Sequence, residues 1–246
     1  MPKAGRDFWE ESKHRKTESI EQSKERKKPP LELDYPKDCQ LISLPKPENF
    51  TVNTLDLRAA IERRRSIRRY SGEALSLEEL SFLLWSTQGV QKVVPEKVTF
   101  RTVPSAGACH AFETYILVNR VEGLKPGLYR FLAVKHALIP LQLAEGLAEK
   151  LAEACYGQHF AVSGALTFFW VAVKKRMIWR FGARGYRYLL LDAGHICQNL
   201  YLSALPLGCG ACALGAFSDD ELNNILGLDG QNLFVVYGAS LGKLQD

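Results

Sequence analysis

The stretch Ala165–Val173 reads ALTFFWVAV, apolar throughout apart from one threonine. It is rich in β-branched and aromatic residues and shows no helical period, so it reads as a strand. Successive side chains of a strand point to opposite faces, and a strand that is apolar at nearly every position is of the buried kind. Whatever this chain folds into must enclose that strand in a layered domain.

Other elements fall into place around it. Thr54 is a good N-cap, followed by Leu57, Ala60 and Ile61 on one helical face. Ser76-x-x-Glu79 forms a capping box ahead of Leu77, Leu80, Leu83 and Leu84. Tyr115–Val118 and Gly127–Phe131 read as strands, and the Lys135–His136 pair predicts a hairpin continuing into Ala137–Leu141. Helical spacing returns over Leu143–Ala154. Tyr186–Ala204 is the longest helix, stopped by Pro206-Leu207-Gly208. Ser218-Asp219-Asp220-Glu221 reads as a capping box opening a short helix to Leu226, and Leu233–Tyr237 as a last strand. The sum is an α+β domain with strands grouped against helices.

Residues 1–50 differ in texture. They are Lys/Glu-rich to Lys28 and then punctuated by Pro29, Pro30, Pro36, Pro45 and Pro47, which predicts an extended or partly disordered arm. Phe8, Trp9, Leu41, Ile42 and Leu44 are its candidate anchors on its own domain or on a partner subunit. With 246 residues and 46% hydrophobic content, the remainder, 51–246, suits one large core.

The net charge of +5 is uneven: residues 1–30 carry nine Lys/Arg and six Asp/Glu, and residues 63–69 carry five arginines. The rest is near −3, which argues against the broad positive stripe of a duplex-binding protein, so no nucleic-acid partner is expected. The most apolar later stretch, Tyr186–Gly208, is interrupted by Arg187, Asp192, His195, Gln198 and Asn199, and reads as a buried helix instead of a membrane span. Six cysteines are scattered behind an N-terminus without an apolar signal segment, which suits reduced thiols and a cytoplasmic location.

The chemistry concentrates at residues 62–70, ERRRSIRRY. Guanidinium forks match phosphate oxygens, and a neighbouring hydroxyl adds a further bond, so Arg64-x-Ser66-x-Arg68 suits an anion site. Cations completing the C-terminal end of a helix dipole would leave the same pattern.

Four blocks in order resemble the FMN-dependent nitroreductase family, in its SagB/ThcOx-type dehydrogenase branch. They are RRSIRRYSGEALSLEELSFLLWSTQGV (64–90), RTVPSAGACHAFETYILV (101–118) with GLYRF (127–131), YRYLLLDAGHICQNLYLSALPLG (186–208), and LGAFSDDELNNILGL (214–228) followed by Gly242-Lys243. The resemblance covers nearly the whole chain. It implies a mixed, mainly antiparallel sheet flanked by helices, and a homodimer holding FMN in clefts between subunits. By position, Arg64, Arg65 and Ser66 would face the ribityl phosphate, and Arg68 the N1–C2=O edge of the flavin. Pro104, Ser105, Ala106 and Gly107 would lie across the ring from the partner subunit. Leu214, Gly215 and Lys243 would complete ring-edge and phosphate contacts.

The implied activity is that of a cytoplasmic FMN oxidoreductase taking electrons from NAD(P)H and passing them, ping-pong, to a small acceptor such as a nitroaromatic or quinone. The alternatives are a peptide-tailoring dehydrogenase working in a partner complex, and a flavin-binding interaction protein without turnover. Azoline-oxidising members of the branch carry Lys-Tyr where this chain has Arg180-Phe181. Arginine stays protonated and phenylalanine has no hydroxyl, so azoline oxidation is not expected.

Three other patterns read as structural. Cys209-Gly-Ala-Cys212 has no second pair at zinc spacing and reads as buried thiols, with no metal site. Cys109-His110 are sequence neighbours and so point apart. His195 reads as a core or interface histidine bonded by Asp192, Gln198 or Asn199.

Overall fold

The structure is a computed structural model that describes residues 3–13, 28–95 and 97–245. Nine strands are present among these residues: β1 (Ile42–Ser43), β2 (Val90–Val94), β3 (Val98–Arg101), β4 (Phe112–Val118), β5 (Gly127–Leu132), β6 (Ala137–Gln142), β7 (Leu166–Val173), β8 (Cys209–Leu214) and β9 (Leu233–Lys243). Seven form one sheet in the order β1-β6-β5-β4-β7-β9-β8, every neighbour antiparallel. The pair β2-β3 is a separate hairpin that the sequence reading did not anticipate.

Helices α1 (Lys3–Glu11), α2 (Leu57–Arg63), α3 (Leu77–Gln88), α4 (Leu147–Ala154), α5 (Phe160–Ser163), α6 (Lys174–Phe181), α7 (Arg184–Ala204) and α8 (Asp219–Ile225) surround the sheet. Along β7 the period-2 rule is visible in the packing. Leu166, Phe168, Trp170 and Ala172 join the core under α3 and α7, whereas Phe169 and Val171 join the core under α4, α5 and α8. Both faces of β7 are covered, which is why its sequence shows no polar alternation.

Local signals account for most boundaries. Ser76 Oγ accepts from the Glu79 amide while the Glu79 carboxylate accepts from the Ser76 amide, so that capping box is closed. The expected cap at Thr54 is displaced: Asp56 caps α2, accepting from the Arg58 and Ala59 amides, because a carboxylate two residues on competes better for the helix dipole. Ser218 precedes α8 without a side-chain cap bond, so that capping box does not form. α4 starts at Leu147, not Leu143, since β6 runs to Gln142 and Gly146 turns the chain at φ 74°. β9 continues six residues past Tyr237, where its pairing with β7 and β8 replaces propensity as the driving force.

In residues 1–50, Lys3–Glu11 is helical instead of extended. Arg187 stacks 3.7 Å above the Trp9 ring, and Arg184 Nη1 donates to the Ser12 carbonyl at 3.0 Å. Leu44 is buried and Ile42 pairs with Leu138, but Phe8 and Leu41 stay exposed and do not anchor. Residues 28–34 lie over a cluster of buried charges. Arg176 Nη2 pairs with Glu113 at 2.6 Å, Arg176 Nε donates to the Pro30 carbonyl, and Arg130 Nη2 donates to the carbonyls of Leu33 and Asp34.

Candidate functional site

α2 ends at Arg63, and the chain then runs extended alongside β8, with Ser66 paired in parallel to Ala211 and the Ile67 amide donating to the Ala211 carbonyl at 2.9 Å. In an extended segment, residues two apart share a face. Ile67 turns inward onto Gly210, where a Cβ would lie 2.6 Å from the Ile67 side chain. Arg64, Ser66 and Arg68 therefore line the other side together.

Tyr201 of α7 supports that row. Its hydroxyl accepts from the Ala213 amide at 2.8 Å and shares a hydrogen bond with Ser66 Oγ at 3.1 Å, while the Arg64 guanidinium sits 5.4 Å from its ring. Arg68 lies 5.7 Å from the Phe160 ring. Among the described residues, none of Arg63, Arg64, Arg65, Arg68 and Arg69 forms an ion pair with a carboxylate. Arg65 behaves differently from its neighbours: its Nη1 donates to the carbonyls of Glu62 and Arg64, completing the end of α2. Leu214 ends β8, one residue beyond the Ala213 that Tyr201 holds, and Gly215 follows, where an added Cβ would make only ordinary contact with the Tyr237 ring. Lys243 is committed elsewhere, its ammonium bound to the Glu79 carboxylate and to the Leu207 carbonyl at 2.8 Å.

The Pro104–Gly107 segment is a second, separately built feature. Gly107, Ala108 and His110 have φ of 57°, 51° and 44°, the left-handed region that costs a non-glycine residue roughly 1–2 kcal/mol. Several bonds hold this shape. Ser105 Oγ donates to Asp192 Oδ2 at 2.6 Å and accepts from the His110 amide at 2.9 Å, the Ala106 amide donates to Asp192 Oδ1, and Arg180 Nη1 donates to the Gly107 carbonyl. Strain held by surrounding structure is a mark of functional loops. A Cβ at Gly107 would lie 2.9 Å from the Phe181 ring and 3.0 Å from the Arg180 guanidinium, so another residue would push those side-chain ends aside and strain the backbone.

α7 connects the two features. Asp192 and Tyr201 are nine residues apart, which is about 13 Å and two and a half turns, so they project from opposite flanks of the helix. One chain thus presents two candidate half-sites facing different ways.

A sequence profile of the nitroreductase family matches residues 61–243, the whole of both half-sites. The chain belongs to the nitroreductase family. A protein of Methanocaldococcus jannaschii that carries the name nitroreductase is 35% identical over 175 residues, 71% of this chain and 86% of that protein. The microcin B17-processing protein McbC of Escherichia coli, of the SagB-type branch, is 24% identical over 160 residues, 59% of this chain and 55% of McbC. A nitroreductase structure from Anabaena variabilis superposes with a TM-score of 0.69 at 30% identity, over 84% of this chain and 42% of that one. One from Desulfovibrio desulfuricans, solved in complex with FMN, superposes at 0.54 with 20% identity, over 78% and 89%. The observed antiparallel sheet flanked by helices is the nitroreductase-like fold.

Within that family fold burial raises the thiol pKa values of both motifs. Cys209 and Cys212 both lie within β8, three residues apart and so on opposite faces, and burial pushes the Cys209 thiol up to about 12. Burial likewise pushes Cys109 up to about 11, and burial with the nearby Arg101 charge pushes His110 down to about 3. A protonated thiol beside a neutral, buried imidazole is no nucleophile-base pair. Among the described residues no cluster of three metal-ligating side chains occurs, and no helix is long and apolar enough to cross a membrane.

The sequence reading missed Asp192 and Tyr201, the residues that organise the two half-sites. It paired Asp192 and Asn199 with His195, yet Asp192 serves the Ser105 loop, Asn199 Nδ2 donates to the Ser86 carbonyl, and His195 faces outward. A lone carboxylate within the apolar run 186–208 was the available signal.

Proposed function

We propose that the protein is an FMN-dependent oxidoreductase that oxidises NAD(P)H and passes two electrons to a small acceptor such as a nitroaromatic or quinone. The observation that carries this reading is the row Arg64-Ser66-Arg68, cationic, supported from below by Tyr201, and without a carboxylate partner among the described residues. Two guanidiniums and a hydroxyl on one face fit a terminal phosphate monoester.

In this reading Arg64 and Ser66 bind the ribityl phosphate and Arg68 places positive charge near the N1–C2=O edge. FMN, when bound, supplies the two-electron chemistry between nicotinamide and acceptor. The chain supplies position and field: Arg68 favours the anionic reduced ring, and Pro104–Gly107, held in place by Asp192 and Arg180, offers small residues for close approach. Leu214 and Gly215 border the ring edge. Arg65 remains structural, and Lys243 would have to leave Glu79 to reach a phosphate.

The half-sites meet only across a second copy of the chain. Leu57 and Ile61 on α2, and Leu190 and Leu191 on α7, are each more than half exposed, which fits a homodimer that covers them. Residues 1–50 serve as an arm on the 51–246 domain, and the protein works in the cytoplasm.

Arg180 and Phe181 bear directly on the Gly107 backbone. Neither removes a carbon-bound proton, which disfavours a peptide-tailoring dehydrogenase. The test is the visible spectrum of the purified protein, the mass of its extracted cofactor, and anaerobic reduction by NADH and NADPH. Bound FMN bleached by a nicotinamide and reoxidised by a nitroaromatic or quinone supports the reading. A colourless protein that does not take up FMN, or one turning over thiazoline peptides without reducing those acceptors, overturns it.

A further inference from the structure

Helix α1 is fixed to the domain by its C-terminal end. Arg184 Nη1 donates to the Ser12 carbonyl at 3.0 Å, Arg187 Nη2 donates to Ser12 Oγ at 2.6 Å and to the Trp9 carbonyl at 3.1 Å, and the Arg187 guanidinium covers one face of the Trp9 ring. None of the nine residues of α1 is buried. Phe8 and Trp9, which share a helix face with Ser12, stay 37% and 56% exposed. A helix shorter than about 12 residues is marginal in water and gains its stability in a protein from packing an apolar face. On its own domain α1 buries no such face.

An apolar groove of about 510 Å³ lies at the other end of α7. Its walls include Val52 and Leu57, Phe82 and Trp85 of α3, and Leu202 and Pro206. Trp9 is stacked on Arg187, fifteen residues before Leu202, which is about 22 Å along the helix. Phe8 and Trp9 therefore lie far from the groove of their own chain.

A shared flavin site sets how a second copy stands. The Arg64 row is tied to α7 at Tyr201 and the loop at 104–107 at Asp192, so one flavin touching both brings Tyr201 of one copy level with Asp192 of the other. A two-fold axis imposes the same relation in reverse, and the two α7 helices run antiparallel. The register then carries along them. The exposed Leu191 comes level with Leu202 of the second copy, and Arg187, five residues before Asp192, comes level with Pro206, five residues after Tyr201. Gly194 lies between, with open space where a Cβ would stand, so the helices approach there without hindrance. Trp9 arrives with Arg187 at the mouth of the second copy's groove.

We propose that α1 of each copy seats Phe8 and Trp9 in the 202–206 groove of the other, locking the dimer at both ends of α7. The orientation rests on the shared site of the proposed function; the uncovered face of α1 and the open groove do not.

Photocrosslinking of the full-length protein reads the seat. Heavy-isotope chains carrying Phe8→p-benzoylphenylalanine are exchanged with a large excess of unlabelled wild-type chains, irradiated, digested and analysed by mass spectrometry. Phe8 is exposed and buries nothing in its own domain, so the substitution leaves the fold intact. Labelled α1 peptides joined to unlabelled peptides from 52–57, 82–85 or 202–206 are expected. Joins confined to the labelled chain, or made to other surfaces of the unlabelled one, overturn the seat. Phe8→Asp should weaken dimerisation about tenfold or more, from the loss of a buried phenylalanine, with circular dichroism unchanged; an unaltered dissociation constant counts against the seat. Flavin content separates this proposal from the reading it rests on. An FMN-loaded dimer crosslinked elsewhere overturns the seat alone, an FMN-loaded monomer overturns the shared site with it, and a dimer crosslinked in the groove that takes up no FMN keeps the seat and overturns the flavin reading.

Discussion

Ser105 Oγ and Asp192 Oδ2 meet at 2.6 Å, tying a loop to the middle of a helix 87 residues further along the chain. Burial raises the Asp192 pKa, and the bonds from Ser105 and the Ala106 amide oppose that rise. The carboxylate is thus kept in a position where its cost is offset chiefly by holding the loop.

Asp192→Ala removes both loop bonds at once. Bonds to a charged acceptor contribute about 1.5–3 kcal/mol each, and urea denaturation should show a loss of about 3 kcal/mol together with weaker FMN retention. Asp192→Asn keeps an acceptor for Ala106 and should lose less than half as much. Equal, negligible losses in both variants would mean that the loop holds its own shape.

Gly107→Ala combines a left-handed backbone with a Cβ against the Phe181 ring. The expected destabilisation is about 2 kcal/mol or more. Pairing it with Phe181→Ala should relieve the contact and leave the backbone cost, so a double-mutant cycle gives a favourable coupling. A cycle that adds without coupling contradicts the contact.

His110 is neutral in the fold, with its pKa lowered from the usual 6.5 to about 3 by burial and by the nearby Arg101 charge. Protonation therefore favours the unfolded chain, and the contribution of His110 is fully present above pH 6.5. It is lost as pH falls toward 3, at up to about 1.4 kcal/mol per pH unit. His110→Asn, which tolerates the positive φ, should flatten that part of the stability profile. Identical slopes for the two proteins between pH 3 and 6.5 would count against a buried neutral imidazole.

Arg64→Ala should weaken FMN retention at least tenfold by loss of charge-assisted bonds to phosphate, with little change in thermal stability because Arg64 has no carboxylate partner among the described residues. Arg68→Ala should also lower the flavin reduction potential. Full occupancy and an unchanged potential in both variants would reduce the cluster to a helix end.

Leu190→Asp and Leu191→Asp place charges on the uncovered face of α7. Light scattering should then report a particle near 27.6 kDa that no longer holds FMN. A wild-type monomer of that mass with bound flavin would exclude the shared site.

The sheet was legible because β4 to β7 are dense apolar runs, and the Arg64 row because guanidiniums at alternate positions have few uses. Other parts carried weaker marks. The β2-β3 hairpin, VQKVV and VTFR, is short and buries a single strand residue, and α6, KKRMIWRF, buries only Arg176 and Met177. Neither shows the stripe that periodicity detects. The Asp192 contact joins residues whose proximity only the folded chain creates, and the outward face of α7 reads as core when only hydrophobicity is counted.

Residues 30–34 grip the domain through main-chain atoms: the carbonyls of Pro30, Leu33 and Asp34 receive arginines, and the Leu33 amide reaches Glu113. Those bonds are indifferent to which side chains stand at Leu31 or Asp34. They depend instead on spacing, so deletion of a single residue between Pro30 and Asp34 would move every later carbonyl off its guanidinium. What this segment encodes is mainly a length: apart from Glu32, whose carboxylate accepts from the Val134 amide, its letters are free to change while its count is not.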